Sequence, residues 1–176
     1  FFTKILVGTG MSVFIFLFFL FVSFLLASLF SLNAGLGYPS MIQDKGTGAW
    51  EAVKTIDFLK DWLIIGILFY IGLALFTYLL SLFIKEDAPL LLTVLCVTFG
   101  LAYLPNMIGC FRGIAEWIPM TYMHFADVAN GTAAIRYANT DISVFTGVWI
   151  LSAVIIIQLI YGIWKNRARR FEPAGR

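Results

Sequence analysis

The side chains that could do acid–base or metal chemistry are concentrated between residues 105 and 141. Glu116, His124 and Asp127 are side-chain types that bind metals or transfer protons. Asp127 follows His124 by three residues, and Glu116 precedes it by eight. The three would share one helix face only if the helix continued through Pro119, which interrupts helical hydrogen bonding. We therefore favour ordinary interfacial polar residues over a catalytic or metal site.

Motifs of hydrolytic or phosphate-binding chemistry are missing from the sequence. It contains no GxxxxGKS/T phosphate-binding loop, no HExxH, no GxSxG and no paired-cysteine motif. Cys96 and Cys110 would lie about 20 Å apart along one helix, far beyond the roughly 7 Å that a disulfide spans. The sequence therefore predicts neither enzyme activity nor a cofactor bound to this chain.

The composition is that of a membrane protein. Of the 176 residues, 61% are hydrophobic and 12% are charged, whereas soluble domains carry about 25% charged residues. The charges leave four uncharged stretches that do not alternate in polarity as barrel strands do. We expect an all-α fold: a polytopic membrane helical bundle with about four transmembrane helices, forming a single domain over residues 1–176.

The four predicted spans, called a to d, cover about residues 7–32, 62–84, 88–104 and 142–164. Span a should end near Asn33, and Pro105 should end span c. Spans b and c are joined by a short polar turn and should be antiparallel neighbours. The middles of the spans carry no Asp, Glu, His or Lys, which argues against coupling to an ion gradient.

Two longer segments, 33–61 and 105–141, connect the spans. In the first, Trp50, Val53 and Ile56 recur at helical spacing and predict a short amphipathic helix on the membrane surface. In the second, we expect two short helices divided by Pro119, forming a broken external re-entrant hairpin before the last span. A glycosylation sequon begins at Asn130, but we favour a simple turn there.

Basic residues set the expected orientation. Lys165, Arg167, Arg169 and Arg170 directly follow span d, which favours a cytoplasmic C-terminus. An even number of spans then places Lys4 inside as well. By the same reasoning the turn between spans b and c is cytoplasmic, and segments 33–61 and 105–141 are external.

Several features, taken in order, resemble the later two thirds of a type 2 ATP-binding-cassette (ABC) permease, the membrane subunit of a bacterial exporter. The chain opens with FFTKILV running into a span, and KEDAP joins spans b and c. The segment WIPMTYMHFADVANG precedes the last span, and a basic tail containing RRFE follows it. In such permeases spans a to d would be the third to sixth, with two spans and a coupling helix upstream of Phe1.

The resemblance implies a role and partners for this chain. A separate cytoplasmic ATPase subunit would bind ATP with Mg and hydrolyse it, and a second permease chain, identical or different, would complete the pathway in the lipid bilayer. No nucleic-acid partner is implied. The residues expected to face the ATPase are Lys4, Lys85, Glu86 and Asp87. The residues expected at the outer gate are Glu116, Pro119 and Tyr122.

Two other classes of function compete with a permease subunit. A non-transporting structural or assembly subunit of a larger membrane complex would have the same aromatic spans without buried charge. An intramembrane enzyme would need polar catalytic groups at membrane depth, which the spans lack. For the permease we expect a multi-pass protein of the bacterial cell (plasma) membrane.

Overall fold

Four long apolar helices form the frame of the protein in the computed structural model, which describes residues 2–30 and 39–171. They are α1 (Phe2–Phe30), α2 (Thr55–Ser81), α3 (Asp87–Met107) and α6 (Val144–Phe171). Each contains a stretch long and apolar enough to cross a membrane, with mean hydropathy between 1.9 and 2.5. The expected all-α polytopic helical bundle is confirmed, and the chain is a multi-pass membrane protein.

Helix α2 begins earlier than span b was predicted to begin. It starts at Thr55 rather than near Trp62, so its first two turns carry charged residues. On the exposed face of these turns Lys60 Nζ lies 3.0 Å from Asp57 Oδ1. The prediction from the positions of charged residues therefore located the start of the apolar part of α2, but not the start of the helix itself. The predicted end of span a near Asn33 lies outside the described residues.

The predicted break at Pro105 is wrong, because α3 continues through this proline to Met107. Proline removes the N–H of one helical hydrogen bond. The last turn nevertheless closes, since the backbone N–H of Ile108 donates to Leu104 O at 3.0 Å. The Pro105 side chain is fully buried, so its packing offsets the lost bond.

The segment before α2 contains an antiparallel β-hairpin, and the predicted amphipathic helix is wrong there. Its turn begins at Asp44, whose Oδ2 accepts the backbone N–H of Thr47 at 2.9 Å, and Gly48 takes a φ of 70°. These turn residues select a hairpin, so side chains alternate between two faces instead of following a helical period. Helical structure starts only at Thr55. The strands are β1 (Pro39–Gln43) and β2 (Trp50–Lys54).

The connection between α3 and α6 contains four short helical pieces, where two were predicted. The expected break at Pro119 is confirmed: Ile118 is extended, with φ −86° and ψ 109°, because the residue before a proline avoids the helical region. The pieces are a first 3₁₀ helix (Gly109–Trp117), a second 3₁₀ helix (Pro119–Met123), α4 (Phe125–Ala129) and α5 (Thr132–Tyr137).

The hydrophobic core lies where these short helices pack against α2 and α6. Its largest members are Ile65, Phe69, Tyr122, Tyr137, Ile142 and Leu151. Helix α1 contributes far less, since Phe16 is the one buried residue among its described side chains. The Phe16 ring rests on Gly66, where a Cβ would approach its Cζ to 2.7 Å. Most of the described part of α1 is therefore exposed on the outside of the bundle.

Candidate functional site

A buried carboxylate, Glu116, is the most unusual group in the described part of the chain. It lies in the first 3₁₀ helix and only 8% of it is exposed. Burying a carboxylate is costly unless hydrogen bonds satisfy it. Asn139 Nδ2 donates to Glu116 Oε2 and also to the carbonyl of Arg112, at 3.1 Å in the second case. The amide of Asn139 thus joins the carboxylate to the backbone of its own helix.

Tyr122 completes this cluster, which we call the Glu116 network (Arg112, Glu116, Tyr122 and Asn139). Tyr122 is fully buried, and its hydroxyl donates to the carbonyl of Glu116 at 2.9 Å. Burial, together with the charge of Glu116, raises the pKa of Tyr122 well above its usual value. Its hydroxyl therefore remains a protonated donor at physiological pH.

The backbone around Tyr122 and Asn139 explains how both side chains reach Glu116. The ring of Tyr122 lies against Gly147 of α6, where a Cβ would come within 2.7 Å of two ring carbons. Asn139 follows Ala138, whose left-handed φ of 51° ends α5. Asn139 was missed by the sequence analysis, which singled out no residue between Arg136 and span d.

Pro119 lies in the same region but has a different environment. The second 3₁₀ helix, which it opens, packs against α3 and also contacts α2 and α6. Pro119, Met120 and Gln158 line a small cavity of about 20 Å³ at this junction. Gln158 Oε1 is buried there without a hydrogen-bond partner among the described residues. The three predicted gate residues therefore lie together in the two 3₁₀ helices, which we call the wedge (Gly109–Trp117 and Pro119–Met123). Within it Tyr122 donates to the Glu116 carbonyl, and Pro119 lies against the spans.

The three residues considered for a metal site have separate partners. Glu116 binds Asn139, while Asp127 Oδ2 lies 2.8 Å from Arg136 Nη1. His124 packs edge-on against the ring of Tyr103, with centroids 5.5 Å apart. Within residues 2–30 and 39–171 no group of three or more His, Cys, Asp or Glu lies close enough to hold a metal ion. The arrangement is one of structural hydrogen bonds and ion pairs.

The opposite end of the bundle carries a set of charges that we call the charged end: the exposed Lys85, Glu86 and Asp87, and the half-buried Lys165. The turn at Lys85–Asp87 is exposed between α2 and α3. Lys165 Nζ of α6 lies 5.7 Å from the ring centre of Phe83, just before that turn. Lys4 belongs to the first turn of α1, and its side chain lies outside the described part of the structure.

Comparisons of the chain with models of protein families, with curated proteins and with solved structures found no match. The two ends of the bundle differ in geometry. The Glu116 network and the wedge lie at one end, and the charged end lies at the other. Helices α2 and α6 pack against each other and run between them.

The two connecting segments at the Glu116 end are also bonded to each other. The backbone N–H of Gln43 in β1 donates to Asn130 O at 2.7 Å. Gly131 follows with a φ of 81° and has no room for a Cβ beside the Gln43 carbonyl. Asn130 Oδ1 accepts the Thr132 hydroxyl at 2.7 Å. The sequon thus forms a tight turn that holds the hairpin.

Proposed function

We propose that this chain is the membrane-spanning permease subunit of an ATP-driven ABC exporter in the bacterial cell membrane. The observation that carries the proposal is the contrast between the ends of the bundle. One end presents an exposed charged turn and a basic helix end, and the other holds a wedge of short helices tied to a buried carboxylate. On this proposal the C-terminus and the charged end are cytoplasmic.

Contacts at the charged end support a role in coupling an ATPase subunit to the helices of this chain. Lys85, Glu86 and Asp87 are all exposed and free to meet a cytoplasmic ATPase subunit, which would bind ATP with Mg. Lys165 lies over Phe83 beside the turn. A partner that moves this turn would therefore also move the end of α6.

Contacts at the other end support a gate. The second 3₁₀ helix contacts α2, α3 and α6, and the Tyr122 ring fills the space that Gly147 leaves on α6. A tilt of α6 relative to α2 must displace this wedge or break the bond from Tyr122 to Glu116. The Glu116 network would then hold the closed state until ATP-driven movement releases it.

The faces of the spans support a pathway shared with a second permease chain. Of the apolar windows in α1 and α6, only 6% and 11% of the residues are buried. Two large grooves, of about 440 and 550 Å³, open between α1 and α2. Identical or different, a second chain would supply the opposite wall.

The proposal is tested by purifying the full-length protein in mild detergent, identifying its partners by mass spectrometry and assaying ATP hydrolysis. We expect a stoichiometric ATPase with a phosphate-binding loop. The double variant Lys85→Glu with Asp87→Lys should lose the ATPase from the complex. The matched control reverses Glu51 and Lys54, an exposed charge pair on β2, and should retain it.

The same apolar faces would also suit a structural or assembly subunit that carries no pathway of its own. In that case the purified protein would bring down other membrane subunits and no ATP hydrolysis. If both charge variants retained the ATPase, the chain would still be a permease subunit. The Lys85–Asp87 turn would then be rejected as the surface that binds the ATPase.

A further inference from the structure

Four buried polar side-chain atoms have no hydrogen-bond partner among the described residues, and all four lie at the second 3₁₀ helix or on a span that it contacts. Thr121 Oγ1 is in this helix, and His124 Nε2 is in the residue that caps its C-terminal end. Thr98 Oγ1 is on α3, and Gln158 Oε1 is on α6. Unpaired buried polar atoms are few in folded proteins, so their concentration around one short helix points to a property of that helix.

The two atoms on the spans lie far from the ends of their helices. Thr98, in the middle of α3, is 5% exposed and belongs to the buried face of that helix. The second 3₁₀ helix packs mainly against α3. Gln158, in the middle of α6, lines the small cavity that it shares with Pro119 and Met120. The second 3₁₀ helix therefore reaches the depth at which the surrounding lipid supplies no water.

Water cannot satisfy these four atoms while the second 3₁₀ helix keeps its observed position. Less than 1 Å² of each atom is within reach of a water-sized sphere, and Thr121 is fully buried as a residue. A polar group that loses water and gains no partner destabilises the arrangement that buries it. Apolar packing therefore holds the helix against the spans at a polar cost.

Other hydroxyls in the long helices show which bond Thr98 lacks. Ser12, Thr77 and Thr93 each donate to the carbonyl four residues earlier, at 2.8–3.0 Å. A threonine in a helix divides between two rotamers because one of them makes this bond. Thr98 instead has its hydroxyl buried without a partner. For Thr98 the corresponding acceptor is the carbonyl of Val94.

We propose that the second 3₁₀ helix has a second, released position, farther from α3 and α6, in which these polar atoms regain partners. In the released position the Thr98 hydroxyl turns to the Val94 carbonyl, and water that enters beneath the helix reaches Thr121 and Gln158. Packing favours the observed position and hydrogen bonding favours the released one. The two positions are therefore close in free energy, and a small force moves the helix between them.

The released position rests on the proposed function only in its use, since it would be the open state of the gate. The two positions themselves are a property of this chain and need neither ATP nor a partner. They are measured on the full-length protein alone in detergent, by backbone hydrogen exchange of residues 118–124 with detection by mass spectrometry. Exchange in this segment reports release of the helix, because the released backbone meets water.

Thr98→Val tests the proposal, because it removes the unpaired hydroxyl and keeps the shape of the side chain. The variant no longer gains a hydrogen bond on release, so the observed position is favoured. We expect exchange of residues 118–124 to slow about fivefold, as one net hydrogen bond is worth, while peptides of α2 keep their rates. Thr121→Val should act in the same direction. The matched control is Thr93→Val on the same helix, whose hydroxyl already bonds to Pro89 O, and it should leave the segment unchanged.

Faster exchange of the segment in Thr98→Val would overturn the proposal, because it would show that the hydroxyl has a partner in the observed position. Exchange unchanged in both Thr98→Val and Thr121→Val would also overturn it, as would a slowing that α2 shares equally. None of these results bears on whether an ATPase copurifies with the chain. The released position and the permease can therefore fail separately.

Discussion

At the scale of single residues, the Glu116 network concentrates the polar bonds that hold the wedge together. The sequence analysis selected Glu116 and Tyr122, but it could not show that they meet. The Tyr122 hydroxyl and the backbone carbonyl of Glu116, six residues earlier, have no fixed relation until the backbone at Ile118 is known. Asn139 could not be selected at all, because its role comes from the left-handed Ala138 before it.

Removing Asn139 should be costly for its size. Asn139→Ala leaves the buried carboxylate of Glu116 without its amide donor, and we expect a loss of about 2–3 kcal/mol in unfolding free energy. The measurement is unfolding in a denaturing detergent titration. Thr140→Ala removes a neighbouring exposed side chain and should change little. A loss no larger than that of the control would contradict the account of the network.

Tyr122 should make stability depend on pH in the alkaline range. Its pKa in the folded protein is raised above the value of about 10 in the unfolded chain. As pH rises past 10, the unfolded chain releases this proton first and folding stability falls. Tyr122→Phe should flatten part of that fall, and it should cost about 1 kcal/mol at neutral pH through the lost hydrogen bond. Unfolding measured at pH 7 and above pH 10 tests this, with Tyr161→Phe at an exposed position as the control.

At the scale of elements, hydropathy identified every long helix but misjudged the segments between them. Trp50 and Val53 fit a helical spacing as well as the two faces of a strand, and a run of five residues cannot separate the two periods. Gly46 and Gly48 were the available signal for a turn. The four pieces of the connection could not be counted either, because short 3₁₀ helices depend on tertiary packing more than on local preference.

The turn at Gly131 should be essential for docking the hairpin. Gly131→Ala forces a side chain into a left-handed conformation and against the Gln43 carbonyl. We expect destabilisation of about 1–3 kcal/mol and faster proteolysis within residues 44–49. Gly109→Ala is the matched control, since a Cβ there meets nothing within 4 Å. Equal protease resistance of the two variants would show that the hairpin does not depend on this turn.

At the scale of the whole molecule, the number and order of the spans could be predicted because membrane crossing depends mainly on length and apolarity. Which helix faces pack together could not, since lipid-facing and helix-facing residues are equally apolar. The burial of Phe16, among the described side chains of α1, has no counterpart in the sequence pattern, which shows phenylalanine around the whole helix.

The proposed orientation predicts which ends of the bundle can be labelled from outside the cell. In a protein whose Cys96 and Cys110 are changed to serine, we introduce Thr47→Cys in the hairpin turn or Lys85→Cys in the charged end. Both positions are exposed. A membrane-impermeant maleimide should label Thr47→Cys in intact cells and Lys85→Cys only after permeabilisation. The reverse pattern would invert the topology and remove the charged end from the cytoplasm.

The most direct test of the central claim asks whether ATP moves the wedge. Thr121 lies in the second 3₁₀ helix and is fully buried, so Thr121→Cys in the same cysteine-free protein should resist maleimide at rest. In membranes containing its partners, we predict that ATP with Mg makes this cysteine reactive, while Trp117→Cys, at an exposed position, reacts with or without ATP. Labelling of Thr121→Cys that ATP leaves unchanged, with the control fully reactive, would contradict an ATP-driven permease whose gate is this wedge.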